Sequence, residues 1–523
     1  MLGSIVHLAR NLRAGFVLAR EGALAPIDPD ALPPGPGLAV RLLRLIETKP
    51  AADQATRLSA ALNRLGPSYV KLGQFLATRP DVVGQELAAD LERLRDRLPP
   101  FPRREAERIV ELELGQPLGA LFESFSEPVA AASIAQVHRA RIRGGGASAD
   151  VAVKVLRPGV ERRFAMDLRS FYRAARFLMR FHRPSRRLRP VAVVHTLARS
   201  VALEMDFRLE AAAIAEMAEN TAGDPDFRTP KIDWTRTARR VLVIEWIDGT
   251  PLGEPARLAA EGHDLKLLAA TIIQSFLRHA MRDGFFHADM HQGNLFIDRA
   301  GRLVAVDFGI MGRLTPRERR FLAEIIYGFI RRDYRRVAEV HFEAGYVPAD
   351  QPLDAFAQAL RSIGEPLQDR PAREISMARV LTQLFEVTEL FNMQTRPELL
   401  LLQKTMVVVE GVGRTLDPDL NMWAVADPVV REWMTRYLGP RGQIDTVGRS
   451  AEALRRLVFD LPERVLQIER SIEDLLAIPS TGIRLDPGSI EALAAAYSRR
   501  LRQAVVLWII GLALAIIAVA LVL

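Results

Sequence analysis

The sequence predicts an α+β fold of two lobes, a small β-rich one followed by a larger helical one, with a helical extension before them and an apolar segment after. Three observations carry this. Residues 40 to 120 read with helical spacing, as in "DQATRLSAALNRLGPSYVKLGQFLATRP" and "ELAADLERLRDRLPP". The pattern then switches to short-range alternation in "PVAAASIAQVHRARI" and "VAVKVLRP", which flank the glycine turn Gly144 to Gly146 as the arms of a hairpin. From about residue 262 helical spacing dominates, broken by strand-like islands in "NLFIDRAGRLVAVDFG".

In chain order this gives a helical extension over 1–120 and a small lobe over 121–250, which holds a helical stretch from about 160 to 220 and a second strand-like pair ending in "RRVLVIEWIDG". A large helical lobe over 251–440 and a helical connector over 441–503 follow. At 523 residues the chain exceeds the size at which one core stops growing, so more than one lobe is required. The last 20 residues, "AVVLWIIGLALAIIAVALVL" (Ala504 to Leu523), carry no charge and match a bilayer's hydrocarbon thickness. A transmembrane helix is expected there. Arg499, Arg500 and Arg502 precede it and predict a single pass through a cell inner membrane with the bulk of the chain cytoplasmic. The N-terminal "MLGSIVHLARNLRAGFVLAR" places Ile5, Leu8, Leu12 and Phe16 at helical spacing and reads as a short amphipathic helix.

The formal net charge is +8 and the pI near 10.0, with basic clusters such as "RFHRPSRRLRP". This balance suits an anionic partner, and charge does not choose among nucleic acid, a phospholipid surface and a phosphorylated ligand. There are no cysteines, which excludes disulfides and Cys-based metal sites.

Chemistry concentrates in "HADMHQGNLF", residues 287 to 296. His287 and His291 would share a face on a helix and could bind zinc, but Gly293 and the strand-like "LFID" argue for a loop, where that spacing loses its meaning. Asp289, Asn294 and Asp307 fit phosphoryl transfer better. One carboxylate orients the acceptor, and a carboxylate with an amide oxygen holds Mg²⁺ against nucleotide phosphates. A hairpin between Asn294 and Asp307 would return the second aspartate beside the first. Lys154, between Val153 and Val155 on a strand, is costly at an inward position unless it meets negative charge.

Together these residues resemble the set shared by protein-kinase-like folds, and four stretches narrow the resemblance to the UbiB/ADCK family of atypical kinases linked to ubiquinone biosynthesis. They are "LGPSYVKLGQFLATRPD" with Lys71, Gly73 and Gln74 of a K-x-G-Q pattern; the alanine-rich "AAASIAQVHRA"; "LEMDFRLEAAA" with its E-x-D acids; and "HADMHQGN". The match spans roughly residues 60 to 420.

The resemblance implies a two-lobed kinase-like fold that binds ATP and Mg²⁺. It implies that Lys154, paired with Glu210, contacts phosphates, that Asp289 acts at the acceptor, and that Asn294 and Asp307 hold the metal. Ala130, Ala131, Ala132 and Ser133 would cover the phosphates, more stiffly than glycines, and Glu245 would lie at the nucleotide. Lys71 and Gln74 would fold over the pocket, facing Glu204 and Asp206, with Glu204, Asp206 and Glu210 expected on one helix. Expected partners are ATP, quinone precursors in the lipid bilayer and other ubiquinone biosynthesis proteins, with no nucleic acid among them.

Two departures bear on the acceptor. Ala288 stands where protein kinases carry the arginine of H-R-D, and after Gly309 the chain runs into "LTPRERRFLAEIIYGFI" without an A-P-E segment. The platform that holds a peptide is therefore missing, which favours a small-molecule or lipid-linked role. The competing functions are a conventional protein or small-molecule kinase and a nucleotide-gated scaffold. Ring hydroxylation finds no support, because no dinucleotide-binding fingerprint follows a strand and no Cys or His set suits iron.

Overall fold

Alternation along the small-lobe strands separates a core face from a cleft face. In the computed structural model, β1 (Phe122–Ala131), β2 (Ala135–Ile142), β3 (Asp150–Leu156) and β5 (Val241–Glu245) form an antiparallel sheet in that order. Val151, Val153 and Val155 of β3 point to one side, where they meet Val241 and Val243 and the buried Ala106, Ile109 and Val110 of helix α3 (Arg103–Leu114). Lys154, between two of those valines, must therefore face the other side. Helix α3 lies before residue 121 and yet shares the core of the small lobe.

The structure describes mainly residues 13–22, 54–77, 99–144, 150–181, 189–368 and 397–438, with a few positions between them. By contact, Arg10–Arg436 forms one compact unit, and Met1–Ala9 with Tyr437–Leu523 form another, of which little is described.

Before α3 come α1 (Gln54–Leu65) and α2 (Pro67–Ala77). Ala14 and Val17, in the described part of the N-terminal helix, pack on Ala61 and Leu65, so this part of its apolar face is spent within the protein. Phe16, expected in that stripe, is instead 45% exposed. Helices α4 (Val160–Phe181), α5 (Pro190–Glu204) and α6 (Phe207–Asn220) follow β3.

Residues 246–248 connect β5 to β6 (Gly249–Pro251), the first strand after the small-lobe sheet. The large lobe is centred on α7 (Leu265–Arg278), buried through Leu268, Ala269, Ile272, Ile273, Phe276 and Leu277. Helix α11 (Pro397–Leu416) packs along it. Helices α8 (Pro316–Ile330), α9 (Tyr334–Glu343) and α10 (Leu353–Gln368) gather around Tyr334, Val337, Phe356 and Leu360. A second sheet runs in the order β4 (Phe227–Arg228), β9 (Leu303–Ala305), β8 (Leu295–Asp298), β6, and β7 (Phe285–His287) pairs with β10 (Met311–Arg313) as a separate ribbon.

One expectation is corrected. Among the described residues no helix is long and apolar enough to cross a membrane. Ala504–Leu523, for which the single inner-membrane pass was expected, lies outside the described residues together with the connector 441–503. The described helices are amphipathic or cored by one another, and the single-pass placement is left without structural support.

Candidate functional site: a lysine and two acids across the cleft

Lys154 pairs across the small-lobe sheet with Val137 and Leu242, which fixes its backbone in mid-sheet. Its ammonium donates to Glu210 Oε1 at 2.8 Å and Oε2 at 3.0 Å, and to Asp307 Oδ1 at 2.8 Å. The phenyl ring of Phe207 lies 5.4 Å away. Three elements thus converge, a small-lobe strand, helix α6 and the segment after β9.

The electrostatics of the trio follow from burial and neighbours. Burial alone would lower the Lys154 pKa, but Asp307 and Glu210 outweigh it and hold the ammonium well above the usual lysine range. Burial pushes Glu210 up, against the pull of Lys154, and the charge of Asp307 adds to the rise. Asp307 is held well below the carboxylate range: burial opposes this, and the attraction and hydrogen bond of Lys154 overcome it, with help from Lys71 and His287. One cation faces two acids, so Glu210 is the first to take up a proton.

Local structure explains the placement of each acid. Asp206 is the N-cap of α6 and accepts from Arg208 N, which leaves Glu210 in the first turn, near the positive end of the helix. Glu204 closes α5 and Asp206 precedes α6, so the expectation of one helix carrying Glu204, Asp206 and Glu210 is corrected: the chain breaks at Met205. Arg208 engages both carboxylate oxygens of Asp206, at 2.9 and 2.7 Å. Glu204 instead meets Lys71 of α2, Oε2 to Nζ 2.6 Å, both side chains nearly buried. Gln74, one turn beyond Lys71, is half-buried on the same helix.

On the large-lobe side, Leu295 pairs with Ala305 and Ile297 with Leu303, and this hairpin brings Asp307 back beside Asn294. Val306 N donates to Asn294 O at 2.8 Å and closes its open end. Asp307 has φ +62, a left-handed conformation uncommon outside glycine, and its carboxylate turns to the small lobe. His287 ties the pieces together. Its Nε2 donates to the carbonyl of Asp307 at 3.0 Å, and its Nδ1 accepts from Asp289 N at 3.1 Å. These roles need a neutral ring, and burial lowers the His287 pKa accordingly. Asn294 Nδ2 donates to Asp289 O at 3.1 Å, leaving the amide oxygen as the free donor atom for a ligand. His287 ends a strand and His291 lies exposed in the following loop, so the two do not share a helix face.

Ala130 and Ala131 end β1 opposite Val137 and Gln136, and Ala132 N donates to Ala135 O at 2.8 Å, with Ser133 buried in the turn. Glu245, at the end of β5, turns to Arg228 at 3.0 Å, and Arg228 bonds Asp298 of β8 at 2.9 Å. Its carboxylate is thus engaged in a bridge between the two sheets. Two residues that no motif marks complete the site: Arg228 in this bridge, and Thr405 of α11, whose hydroxyl shares its one proton between Leu401 O at 2.7 Å and Ala288 O at 3.1 Å. A threonine within the apolar stretch of a helix gives no sequence signal of such a contact.

The donor set suits magnesium. A half-exposed Asp307 carboxylate and the Asn294 amide oxygen are hard oxygens, and no group of three ligating acids, histidines or cysteines exists among the described residues. Mg²⁺ is commonly held by one or two protein oxygens with substrate phosphates and water supplying the rest.

Comparison with known proteins gives the family of the chain. Residues 93–341 match the ABC1 atypical kinase-like domain, and residues 360–421 match the UbiB helical domain. The chain belongs to the UbiB family. It is 41% identical to the probable protein kinase UbiB of Marinobacter nauticus over 81% of this chain and 78% of that one. It is 39% identical to that of Pseudomonas entomophila, covering 81% and 80%, and 38% identical to that of Aeromonas hydrophila, covering 88% and 85%. A solved chain, described as the complex of Rv3197 with erythromycin from Mycobacterium tuberculosis, matches with TM-score 0.49 and 24% identity over 72% of this chain and 95% of that one. Within the UbiB family match, α11 lies in the helical domain, so Thr405 joins that domain to the loop carrying Asp289.

Proposed function

We propose that the protein is an Mg-ATP-dependent kinase-like enzyme, an ATPase or phosphotransferase, that supports ubiquinone biosynthesis. The observation that carries the reading is the contact of Lys154 with Glu210 of its own lobe and with Asp307 of the other, 2.8 Å to each. A lysine held charged by two acids, one of them half-exposed, is poised to release the latter to a cation and take a phosphate in its place.

In this reading Lys154 binds the α and β phosphates, kept in position by Glu210. Asp307 and Asn294 hold Mg²⁺, which when bound neutralises charge on the phosphates. Asp289 orients the acceptor hydroxyl or a water, its backbone fixed by His287 and Asn294. The absent A-P-E segment and Ala288 favour a small acceptor over a peptide, and phenolic quinone precursors suit the family's role.

The test measures ADP release by the purified protein with and without phenolic quinone precursors, beside Asp307→Asn. The expected outcome is release that rises with the phenol and falls to background in the variant. Transfer of phosphate to a protein, with no response to the phenol, would replace this reading by conventional protein phosphorylation.

A further inference from the structure

The turn that follows β1 contains no glycine and no residue of positive φ, so its position is not the product of backbone freedom. It is held from outside. Arg157, just after β3, donates its backbone N–H to Ile134 O at 2.8 Å and its Nε to Ala132 O at 2.9 Å. The same guanidinium reaches Pro99 O at 2.9 Å through a terminal nitrogen and lies 5.6 Å from the centre of the Phe101 ring.

Phe101 is itself bracketed. Gln136, buried in β2, accepts from Phe101 N at 2.9 Å and donates to Phe101 O at 3.2 Å. It also donates to His138 Nε2 at 2.9 Å, and His138 Nδ1 donates to Ser126 O at 2.8 Å. A single planar fork therefore joins the Ala132 carbonyl of the alanine turn to a chain segment that a buried polar chain has already fixed, while the backbone N–H of the same residue holds Ile134 O. Lysine could not reproduce this, because its one ammonium lacks the divergent donors of a guanidinium.

We propose that Arg157 is a positioning residue for the phosphate cover: clamped between the alanine turn and Pro99–Phe101, it sets the height of that turn over the nucleotide and so the affinity for the phosphate tail. The inference rests on the reading of the site as an ATP site and adds the residue that tunes it. A structural prop elsewhere in the lobe would affect every ligand alike. A clamp on the cover affects only ligands that carry phosphates.

Titration calorimetry with Mg-ATP and with adenosine, on the full chain and on Arg157→Lys, Arg157→Gln and Phe101→Leu, separates the two. Loss of the fork's bonds to Ala132 and Pro99 is expected to weaken Mg-ATP binding about tenfold while adenosine binding stays within about twofold of wild type. In turnover the loss falls on the KM for ATP more than on kcat. Phe101→Leu, which keeps the backbone bracket and removes the ring, is expected to weaken Mg-ATP about threefold, and it serves should the Arg157 variants fold poorly. Equal weakening of both ligands, or Mg-ATP binding unchanged in all three variants, overturns the inference. Wild-type protein that binds neither ligand overturns the nucleotide reading itself, a separate and recognisable result.

Discussion

Lys154 is the side chain on which the cleft turns, because two acids compete for it from opposite sides. Glu210 is nearly buried and raised, so its charge depends on the ammonium beside it. Replacing Lys154 with Met leaves that buried carboxyl without a cation. The expected result is ADP release at background and a loss of stability of about 3 kcal/mol in urea unfolding, the usual cost of breaking one side of a buried pair. Lys154→Met combined with Glu210→Leu should recover most of that stability and none of the activity. Full recovery of turnover in the double variant would remove Lys154 from phosphate binding. Asp307 behaves differently, being half-exposed and held below its ordinary 3.8. Its contribution to stability is present above that value and is lost only as pH falls well below it.

At the scale of elements, packing explains why the K-x-G-Q helix has a glycine at its third position. A Cβ on Gly73 would sit 2.4 Å from Leu94 Cδ1 and 2.7 Å from Leu62 Cδ1, so α2 lies against its neighbours only because none is there. Gly73→Ala is expected to cost about 1–3 kcal/mol, as overpacking does, and to shift Lys71 away from Glu204. A lowered melting temperature with altered ATP affinity would register it. The contact of α11 with the loop carrying Asp289 is a second case. Thr405→Val keeps shape and removes the donor to Ala288 O, with an expected loss of about 1 kcal/mol and slower ADP release at unchanged ATP affinity. How legible these features were follows from their range. The hairpin of β2 with β3 and that of β8 with β9 are local, and alternation with turn residues announces both. Lys154, Asn294 and Asp307 sit in recognisable motifs, and the structure brings Lys154 to Asp307 and Asp307 back beside Asn294. The break between Glu204 and Glu210 was not visible, because Met205 is a good helix former and only the Asp206 cap ends the run. Arg228 and Thr405 act across contacts more than 100 residues long or through sheet neighbours, which period and composition do not encode.

Across the whole molecule, four histidines respond to pH in the same direction. His138, His279, His287 and His341 are all lowered from 6.5, with burial the leading cause in each. In the unfolded chain these rings take up protons below about 6.5, whereas in the native state they resist. Unfolding there absorbs protons, so stability is greatest above 6.5 and falls as pH drops through that value. Glu210 and Glu410, raised from 4.5, act the other way, because their stabilisation is present below 4.5 and lost as pH rises. Four groups against two leave the histidines in control between about 6.5 and 5. Each contributes a slope of about 1.4 kcal/mol per pH unit while the unfolded ring is charged and the native one is not. Urea unfolding from pH 8 to 5 should therefore show a plateau and then a fall steeper than one proton accounts for. His279 isolates one share. It bonds Asp224 at 3.3 Å, and Asp224 is also held by Arg282, so Gln at 279 keeps a donor to that acid without titrating. His279→Gln should flatten the slope by about one proton and leave the plateau lowered by only a packing cost. An unchanged slope would mean that His279 is protonated in the native state, and the neutral buried ring would have to be abandoned.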